Sequence, residues 1–281
     1  MYEILAKEDL APVTKLYEVR APVVAHKARA GQFVIIRLDE EGERVPLTIA
    51  DYDRERESIT LVVQEVGKTT KQMGTLQAGD HMASFTGPLG EPSQIENYGT
   101  VLCVGGGVGI APIYPIARDL KEAGNTVISI IGARNKDLLF WEDKMRAISD
   151  EHNVCTDDGS YGRKALVTIP MKEMLEAARP IDRIWAIGPA IMMKFCALTA
   201  KPFGVHMEVS LNSIMVDGTG MCGACRVEVG GQTRFVCVVG PEFDGYIVDW
   251  DELLGRLRIY LDQVQDSMAM WDHVCECGEQ G

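Results

Sequence analysis

The first third of the chain consists of short apolar or alternating runs separated by turn signals. Three such runs cover residues 33–38, 59–64 and 81–85, and glycine and proline are frequent in residues 87–92. Many short strands at this spacing, bounded by turn residues, are typical of a small barrel or sandwich. We therefore predict a β domain in this part of the chain.

From about residue 98 to residue 209, apolar runs of strand length alternate with segments of helical periodicity. This alternation predicts a parallel sheet covered by helices on both faces, and such sheets bind ligands at the carboxyl ends of their strands. The predicted strands are residues 100–104, 126–132, 153–156, 183–187 and 206–209, and predicted helices include residues 110–123, 138–148 and 190–200. We expect a Rossmann-like sheet of five parallel strands.

The last part of the chain, residues 210–281, combines a cysteine-rich segment with a helical pattern over residues 250–270. Apolar side chains recur in this pattern at intervals of three and four residues, from Leu253 to Met268. Such a face either docks on a larger subunit or covers the chain's own core, and the pattern leaves both open.

Composition and charge narrow the classes of function. Of the 281 residues, 46% are hydrophobic and 25% are charged, which is close to the soluble globular average. The net charge of −13 argues against a nucleic-acid partner, because phosphates require a basic surface.

The N-terminal residues do not have the pattern of a secretory signal. The apolar stretch over residues 101–117 is broken by glycines and prolines and is too short to span a membrane. We expect a soluble, cytoplasmic protein.

A glycine-rich loop follows the first predicted strand of the sheet, with the sequence GGGVGIAP from Gly105 to Pro112. Glycines let the backbone turn tightly and approach a ligand, and the following helix directs N–H groups and its positive dipole end at the loop. A pyrophosphate fits there. Because Ile110 stands where the G-x-G-x-x-G pattern has its third glycine, a simple strand-to-helix turn is the alternative.

Eight cysteines occur in the chain, and five of them lie in the last 60 residues. In a chain without an export signal, clustered cysteines more often bind metal than form disulfides. Asp217, Cys222, Cys225 and Cys237 form the pattern D-x4-C-x2-C-x11-C, with aspartate where plant-type two-iron clusters have their first cysteine. Carboxylate is a harder ligand than thiolate but binds iron. We therefore predict a [2Fe-2S] cluster on these four residues.

Three alternatives to this cluster assignment stay open. The cysteines could bind zinc, or they could be structural and bind no metal. Cys275 or Cys277 could supply the fourth ligand in place of Asp217, although an exposed C-terminal tail is the more ordinary interpretation of these two residues.

With these motifs in view, the chain resembles the ferredoxin–NADP reductase superfamily over its full length. The segment RVPLTIA, which begins at Arg44, is similar to the superfamily's flavin-binding strand, and VGKTT, which ends at Thr70, is similar to its second flavin segment. The resemblance implies that Arg44 meets the FAD pyrophosphate and that Thr48 bonds the flavin edge. The residues implied to bind FAD are Arg44, Pro46, Leu47, Thr48, Ile49, Ala50, Gly67, Lys68, Thr69 and Thr70.

Two further segments resemble the superfamily's nicotinamide nucleotide site. The glycine-rich loop matches G-G-G-x-G-x-A-P, and IGPA from Ile187, with Met193, is similar to the segment that approaches the nicotinamide, where the superfamily usually has cysteine at the Ile187 position. Cys196, about two helical turns further on, is predicted to lie in the core. The residues implied to bind the nucleotide are Gly106, Gly107, Gly109, Ala111, Pro112, Arg134, Asp157, Asp158, Gly188 and Pro189.

The acidic pair after a strand, Asp157 and Asp158, favours NAD(H), because carboxylates accept ribose hydroxyls and repel a 2′-phosphate. Arg134 instead favours NADP(H), since its guanidinium group could bind that phosphate. We favour NAD(H), mostly from the resemblance. The resemblance also implies three parts: an FAD-binding β-barrel over residues 1–97, an NAD-binding α/β domain over residues 98–209, and a [2Fe-2S]-binding module with a C-terminal helix over residues 210–281.

Within the superfamily, the chain looks most like two electron-transfer subunits. One is the small subunit of electron-bifurcating NADH-dependent reduced ferredoxin:NADP oxidoreductases, and the other belongs to dihydroorotate dehydrogenases. Asp217 favours the first, because the second has cysteine at that position. The resemblance implies an oxidoreductase that exchanges hydride with NAD(H) and relays electrons to a larger flavin- and [4Fe-4S]-containing subunit, and indirectly to ferredoxin. No side chain is expected to act as acid or base, because the cofactors carry the chemistry.

Three rival functions stay open at this point. A dihydroorotate dehydrogenase electron-transfer subunit and a sulfide dehydrogenase subunit are similar heteromeric flavoproteins. A zinc-stabilised, nucleotide-binding regulator is a non-enzymatic rival, and it predicts a colourless protein.

Overall fold

The computed structural model describes the backbone of residues 1–278 and the side chains of residues 1–271. Its N-terminal part contains seven strands and two short helices: β1 (Tyr2–Ala11), β2 (Thr14–Arg20), α1 (Pro22–Lys27), β3 (Phe33–Arg37), β4 (Val45–Asp53), β5 (Ser58–Gln64), α2 (Lys68–Thr75), β6 (His81–Met82) and β7 (Ser84–Leu89).

These strands form one antiparallel sheet in the order β6-β1-β2-β5-β4-β3-β7. The two edge strands are separated in sequence only by Ala83, so the edges of the sheet meet and the sheet nearly closes into a barrel. Ile4, Tyr17 and Leu61 fill its interior with no exposed surface. The Tyr17 hydroxyl donates to the carbonyl oxygen of Met73 at 2.7 Å, which ties α2 to the barrel wall. The predicted β domain is confirmed as a barrel.

The middle of the chain alternates strands and helices as predicted. Its elements are β8 (Thr100–Gly106), α3 (Ile110–Glu122), β9 (Thr126–Ala133), α4 (Glu142–Ile148), β10 (Glu151–Thr156), β11 (Arg163–Lys164), α5 (Thr168–Glu176), β12 (Arg183–Ile187), α6 (Ala190–Ala200) and β13 (His206–Ser210). The elements that follow are β14 (Arg226–Val229), β15 (Gln232–Phe235), α7 (Val236–Val239), β16 (Glu242–Asp244), α8 (Trp250–Arg256) and α9 (Leu261–Gly278).

The second sheet has the strand order β11-β10-β9-β8-β12-β13-β16. The five predicted parallel strands are all present. The central strands β8, β9 and β12 are buried along almost their whole length, because helices cover both faces. Two short strands extend the sheet at its edges. One of them, β16, comes from the cysteine-rich part of the chain and pairs antiparallel with β13, so that part is joined to the sheet by backbone hydrogen bonds.

The single helix predicted over residues 250–270 is wrong, because the chain forms two helices with a turn between them. In that turn the N–H groups of Arg258 and Ile259 bond to carbonyl oxygens three residues earlier, on Gly255 and Arg256. Tighter bonds of this kind end an α-helix, and glycine lowers helix propensity at the same place.

The two halves of the predicted apolar face therefore have different surroundings. Leu253 on α8 is 1% exposed and packs into the core beneath α6, whereas Leu261 and Val264 on α9 are 48% and 41% exposed. The first half covers the chain's own core. Within the described part of the chain, no helix combines the length and the apolar character needed to cross a membrane.

A ladder of alternating cationic and aromatic side chains joins the barrel to the second sheet. Arg54 and Arg118 lie 4.9 and 5.2 Å from the ring centroid of Tyr52, and Arg118 lies 5.8 Å from that of Tyr114. Lys144 lies 5.2 Å from the Tyr114 centroid and completes the ladder on α4. Cation–π contacts of this type favour one relative placement of the two sheets.

Candidate functional site

The predicted flavin strand lies in β4, and its residues divide into two groups. Residues 45–48 are partly exposed, and we call this part of the barrel surface the predicted flavin groove. Ile49 and Ala50 are instead 0% and 1% exposed, so the structure places these two predicted site residues in the core and not on the groove surface. Ile49 packs inside the barrel and Ala50 packs against the second sheet, because β4 is enclosed on both faces at this point.

The second predicted flavin segment forms the start of α2. The Thr70 hydroxyl oxygen accepts hydrogen bonds from the N–H groups of Val66 and Gly67 at 3.0 and 2.9 Å, so this side chain caps the helix. The Thr69 hydroxyl donates to the carboxylate of Glu43, which lies just before β4 and joins the two predicted segments. The first turn of a helix leaves N–H groups without intrahelical partners, and this positive end suits a diphosphate.

The glycine-rich loop packs closely against the loop between β12 and α6. A Cβ on Gly109 would lie 2.2 Å from the carbonyl oxygen of Ile187. A Cβ on Gly106 would lie 2.1 Å from Met192 Sδ, and one on Gly188 would lie 2.8 Å from Met192 Cε. The structure therefore brings together the two segments that were predicted to bind the nicotinamide nucleotide, and glycine is required for the contact.

The sequence did not predict the contact of Met192 with these glycines, because the resemblance assigned Met193 to this segment instead. Met193 is 0% exposed in the core, as is Cys196, whose predicted core position is confirmed. Burial raises the pKa of the Cys196 thiol to about 12, so it is not a reactive thiol. The signal that could have separated the two methionines is helical phase, since residues 193, 196, 197 and 200 share the buried face of α6.

The residues predicted to select between NAD(H) and NADP(H), which are Arg134, Asp157 and Asp158, lie at the carboxyl ends of β9 and β10. The Asp158 N–H donates to the carbonyl oxygen of Arg134 at 3.2 Å. The Asp158 carboxylate accepts from the Ser160 hydroxyl and N–H at 2.7 and 2.8 Å, and these bonds hold its pKa below the usual range. Asp158 thus stabilises its own turn, whereas Asp157 and Arg134 are exposed.

The cysteines of the third part form a close pair and a separate thiol. The Sγ atoms of Cys225 and Cys237 are 3.1 Å apart, and both residues are buried. Burial, followed by the neighbouring Cys225, raises the pKa of Cys237 to about 12. Cys222 is exposed, and N–H groups of Ala224 and Asp217 directed at its sulfur lower its pKa. Backbone N–H groups around sulfur are the surroundings that a thiolate ligand needs.

Asp217 lies between this loop and the predicted flavin groove. Its Oδ2 accepts from the Thr219 N–H at 3.1 Å and from the Thr219 hydroxyl, and these bonds lower its pKa. Its Oδ1 lies 4.0 Å from Nη1 of Arg44. A Cβ on Gly218 would lie 2.5 Å from Cδ1 of Ile35, so the loop rests directly on the barrel. The residues predicted for the flavin and for the metal are therefore neighbours.

Two of the four predicted metal ligands, Cys225 and Cys237, form a close pair. Among the described residues, no three histidine, cysteine or acidic side chains converge on one point as a single zinc ion requires. Asp217 and Cys222 belong to the same glycine-rich loop, where the Asp217 N–H group is directed at the Cys222 sulfur. The loop turns at three glycines with φ of 82°, 83° and 68°: Gly218, Gly220 and Gly223. This donor set fits a two-iron cluster, in which the ligands are shared between two metals. The side chains of Cys275 and Cys277, the competing ligands, lie outside the described residues.

Sequence comparison relates the chain to electron-transfer proteins. Residues 212–249 match the iron–sulfur cluster binding domain of dihydroorotate dehydrogenase B. The chain is 55% identical over 261 residues to the dihydroorotate dehydrogenase B (NAD(+)) electron transfer subunit homolog of Thermotoga maritima, with coverage of 93% of this chain and 92% of that protein. It is 33% identical to the dihydroorotate dehydrogenase B (NAD(+)) electron transfer subunit of Shouchella clausii, over 79% of this chain and 86% of the relative.

Structural comparison adds two solved structures. A chain of the NADH-dependent reduced ferredoxin-NADP oxidoreductase, solved to study flavin-based electron bifurcation, superposes with a TM-score of 0.91 and 52% identity over 96% of this chain and 98% of that one. Phthalate dioxygenase reductase superposes with a TM-score of 0.62 and 17% identity over 86% of this chain and 94% of that one, which shows a common fold.

Proposed function

The chain belongs to the family of dihydroorotate dehydrogenase B electron-transfer subunits, and from that premise we propose that it is an FAD- and [2Fe-2S]-containing oxidoreductase subunit. It exchanges hydride with NAD(H) and passes electrons on to a flavin-containing partner subunit. The division into an FAD-binding barrel, an NAD-binding domain and a cluster module, over residues 1–97, 98–209 and 210–281, is part of this proposal.

One observation carries the proposal, namely the contact between the predicted flavin strand and the predicted cluster loop. Arg44 Nη1 and Asp217 Oδ1 are 4.0 Å apart although the two residues are far apart in sequence. A relay requires its two redox groups to be neighbours, and this ion pair marks the place where the flavin groove and the cluster loop meet.

The chain's residues then have distinct tasks. When bound, FAD and [2Fe-2S] supply the conversion of a two-electron hydride into single electrons. Arg44, half exposed beside the groove, binds a diphosphate oxygen. The N-terminus of α2 offers N–H groups to the same diphosphate. Gly107 is partly exposed with nothing within 4 Å of its Cβ position, so it lets a nucleotide approach the backbone. Exposed Asp157 accepts a ribose hydroxyl, which favours NAD(H).

We place the chain in an electron-bifurcating NADH-dependent reduced ferredoxin:NADP oxidoreductase, with a larger flavin- and [4Fe-4S]-containing partner in the cytoplasm. Asp217 at the first ligand position and the 52% identity to a chain of such an enzyme support this choice. A dihydroorotate dehydrogenase subunit is the second candidate, favoured by the family match over residues 212–249. Co-purification of the native complex distinguishes them, because only the second would oxidise dihydroorotate.

An apolar rim beside the cluster loop supports a heteromeric partner. Five side chains of this rim are exposed by 38–86%: Val216, Met221, Phe235, Val238 and Val239. Monomeric soluble proteins rarely expose apolar side chains in such a patch, and patches of this kind mark protein interfaces. Because the rim adjoins exposed Cys222, electrons would leave the chain across it.

The test of the proposed function is the absorption spectrum of the purified chain with iron, sulfide and flavin analysis. We expect FAD together with about two iron and two sulfide per chain. Anaerobic addition of NADH is expected to bleach the flavin and to produce the EPR signal of a reduced two-iron cluster. A colourless, zinc-containing protein that cannot be reconstituted with iron and flavin would overturn the proposal.

Asp217→Cys tests whether the carboxylate is an iron ligand. The lowered pKa of Asp217 keeps it ionised at neutral pH, so we expect the variant to keep its cluster with changed EPR g values and reduction potential. Asp262→Cys is the matched control, because it adds a cysteine at an exposed position on α9. A spectrum and potential identical to those of the wild type would show that Asp217 does not bind iron.

A further inference from the structure

The Glu242 side chain lies where all three parts of the chain meet. Glu242 begins β16, which follows the cysteine-rich loop. Its carboxylate accepts a hydrogen bond from the Ser93 hydroxyl and another, at 3.3 Å, from Trp185 Nε1. Ser93 follows the last barrel strand, and its N–H donates to the carbonyl oxygen of Ala30 at 2.9 Å. Trp185 is 1% exposed in the middle of β12.

The backbone beside Glu242 is held from both sides as well. The Gly240 carbonyl oxygen accepts from the Glu91 N–H at 2.7 Å, and the Pro241 carbonyl oxygen accepts from the Leu211 N–H at 2.9 Å. Cys237, a proposed cluster ligand, precedes Glu242 by five residues. A movement at Glu242 is therefore transmitted to the cluster loop through a very short length of chain.

Several charged groups surround the carboxyl group. Burial is the main reason why the pKa of Glu242 is raised to about 7; the carboxylate of Glu208 on β13 acts in the same direction, and the Ser93 and Trp185 bonds and Arg183 on β12 act against it. Arg183 Nη2 is itself 3.2 Å from Glu208, which also accepts from His206. The Cys103 thiol on β8 is a further titratable neighbour, and Tyr98 packs against Trp185 and Arg183. Glu242 as a whole residue is partly exposed, because β16 is an edge strand of the sheet.

We propose that Glu242 is a positioning residue whose carboxyl group holds the cluster-bearing segment against the barrel and the second sheet, and thereby sets electron transfer between flavin and cluster. The protonated carboxyl group is more stable than the carboxylate at this buried junction of the three parts. Ionisation of Glu242 therefore weakens the junction. The identity of the two redox groups rests on the proposed function, whereas the mechanical coupling does not.

The direction in which stability changes with pH follows from the pKa of Glu242 in the folded chain compared with its pKa in the unfolded chain. The pKa of Glu242 is about 7 in the folded chain and lies near the ordinary glutamate value in the unfolded chain. The folded state therefore binds the proton more tightly, and this residue's contribution to stability decreases as the pH rises from the unfolded pKa through the folded one. Above the folded pKa the carboxylate is charged inside the junction.

The experiment compares holoprotein of the wild type with Glu242→Gln, which imitates the neutral acid at every pH. At about pH 5, where Glu242 is protonated in the folded chain, we expect equal amide hydrogen exchange over residues 238–244 and only a small difference between the thermal midpoints. At about pH 8 we expect the variant to melt several degrees higher and to exchange more slowly in this segment. The rate of cluster reduction relative to flavin reduction after mixing with NADH is expected to be at least about twofold higher in the variant at that pH only.

Two further variants complete the test. Glu91→Gln makes the same chemical change on an exposed side chain of the same junction and is expected to behave as the wild type at both pH values. Ser93→Ala removes a bond that lowers the Glu242 pKa, so the transition is expected to move to higher pH in that variant. A wild type and Glu242→Gln with the same stability and exchange profiles at both pH values would overturn the proposal. Failure of NADH to reduce the chain would overturn the proposed function instead, because melting and exchange are measured without it.

Discussion

Cys225→Ser is expected to remove the cluster and to stop electron transfer beyond the flavin. Cys225 is 2% exposed, and its Sγ lies 3.1 Å from that of Cys237, so no solvent-exposed side chain can take its place without rearranging the buried loop. Serine oxygen is a hard, weakly acidic ligand that replaces thiolate poorly at iron. Iron and sulfide are expected to fall from about two per chain to near zero, with the loss of the reduced-cluster EPR signal.

Reduction of the flavin by NADH distinguishes the expected loss of the cluster from general misfolding of the variant. In Cys225→Ser, NADH is expected to bleach the flavin and to reduce a two-electron dye at the wild-type rate, because the barrel groove and glycine-rich loop are unchanged. Cys155→Ala is the matched control, since it removes another buried thiol, on β10, outside the proposed ligand set. A Cys225→Ser protein with full iron content and a normal EPR signal would show that Cys225 is not a ligand.

Gly109→Ala is expected to raise the KM for NADH by about tenfold to a hundredfold, measured with a dye that takes electrons from the flavin. The new Cβ would lie 2.2 Å from the carbonyl oxygen of Ile187, which is backbone and has little freedom to move aside. Overpacking of this kind costs about 1–3 kcal/mol, and about 1.4 kcal/mol corresponds to a factor of ten. The loops that would hold the nucleotide are forced apart, while flavin content stays the same.

The control for this substitution is Gly255→Ala on α8, where an added Cβ meets nothing within 4 Å. Gly255 lies in the last turn of α8, where alanine is more favourable than glycine by at most roughly 0.5–1 kcal/mol, so this variant is expected to gain some stability with an unchanged KM. An unchanged KM in Gly109→Ala would show that the glycine-rich loop does not bind the nucleotide.

Much of the second sheet was predictable because its signals are local. Strands buried on both faces must be apolar along their length, and the predicted bounds of β12 (Arg183–Ile187) and α6 (Ala190–Ala200) agree with the structure. The long strands of the barrel wall, β1 and β2, were not among the predicted runs, because one face of each carries charged side chains and the apolar pattern is weak.

The candidate site also combines features that the sequence determined with features that it did not. The spacing of Cys222 and Cys225 is a property of a few consecutive residues, and the sequence by itself determined that both thiols belong to one glycine-rich loop. It also determined that a glycine-rich turn joins β8 to α3, since no other residue type allows the close backbone contacts seen there.

Only the tertiary structure decided which distant segments meet. The contact of Arg44 with Asp217, the packing of Met192 on the glycine-rich loop and the enclosure of Glu242 at the junction all join residues that are far apart along the chain. Local propensity and hydrophobic period carry no information about such pairs, because the same surface patterns are compatible with many arrangements of sheets. Burial of the shared faces selects one arrangement, and that selection brings the predicted flavin groove and the predicted cluster loop together.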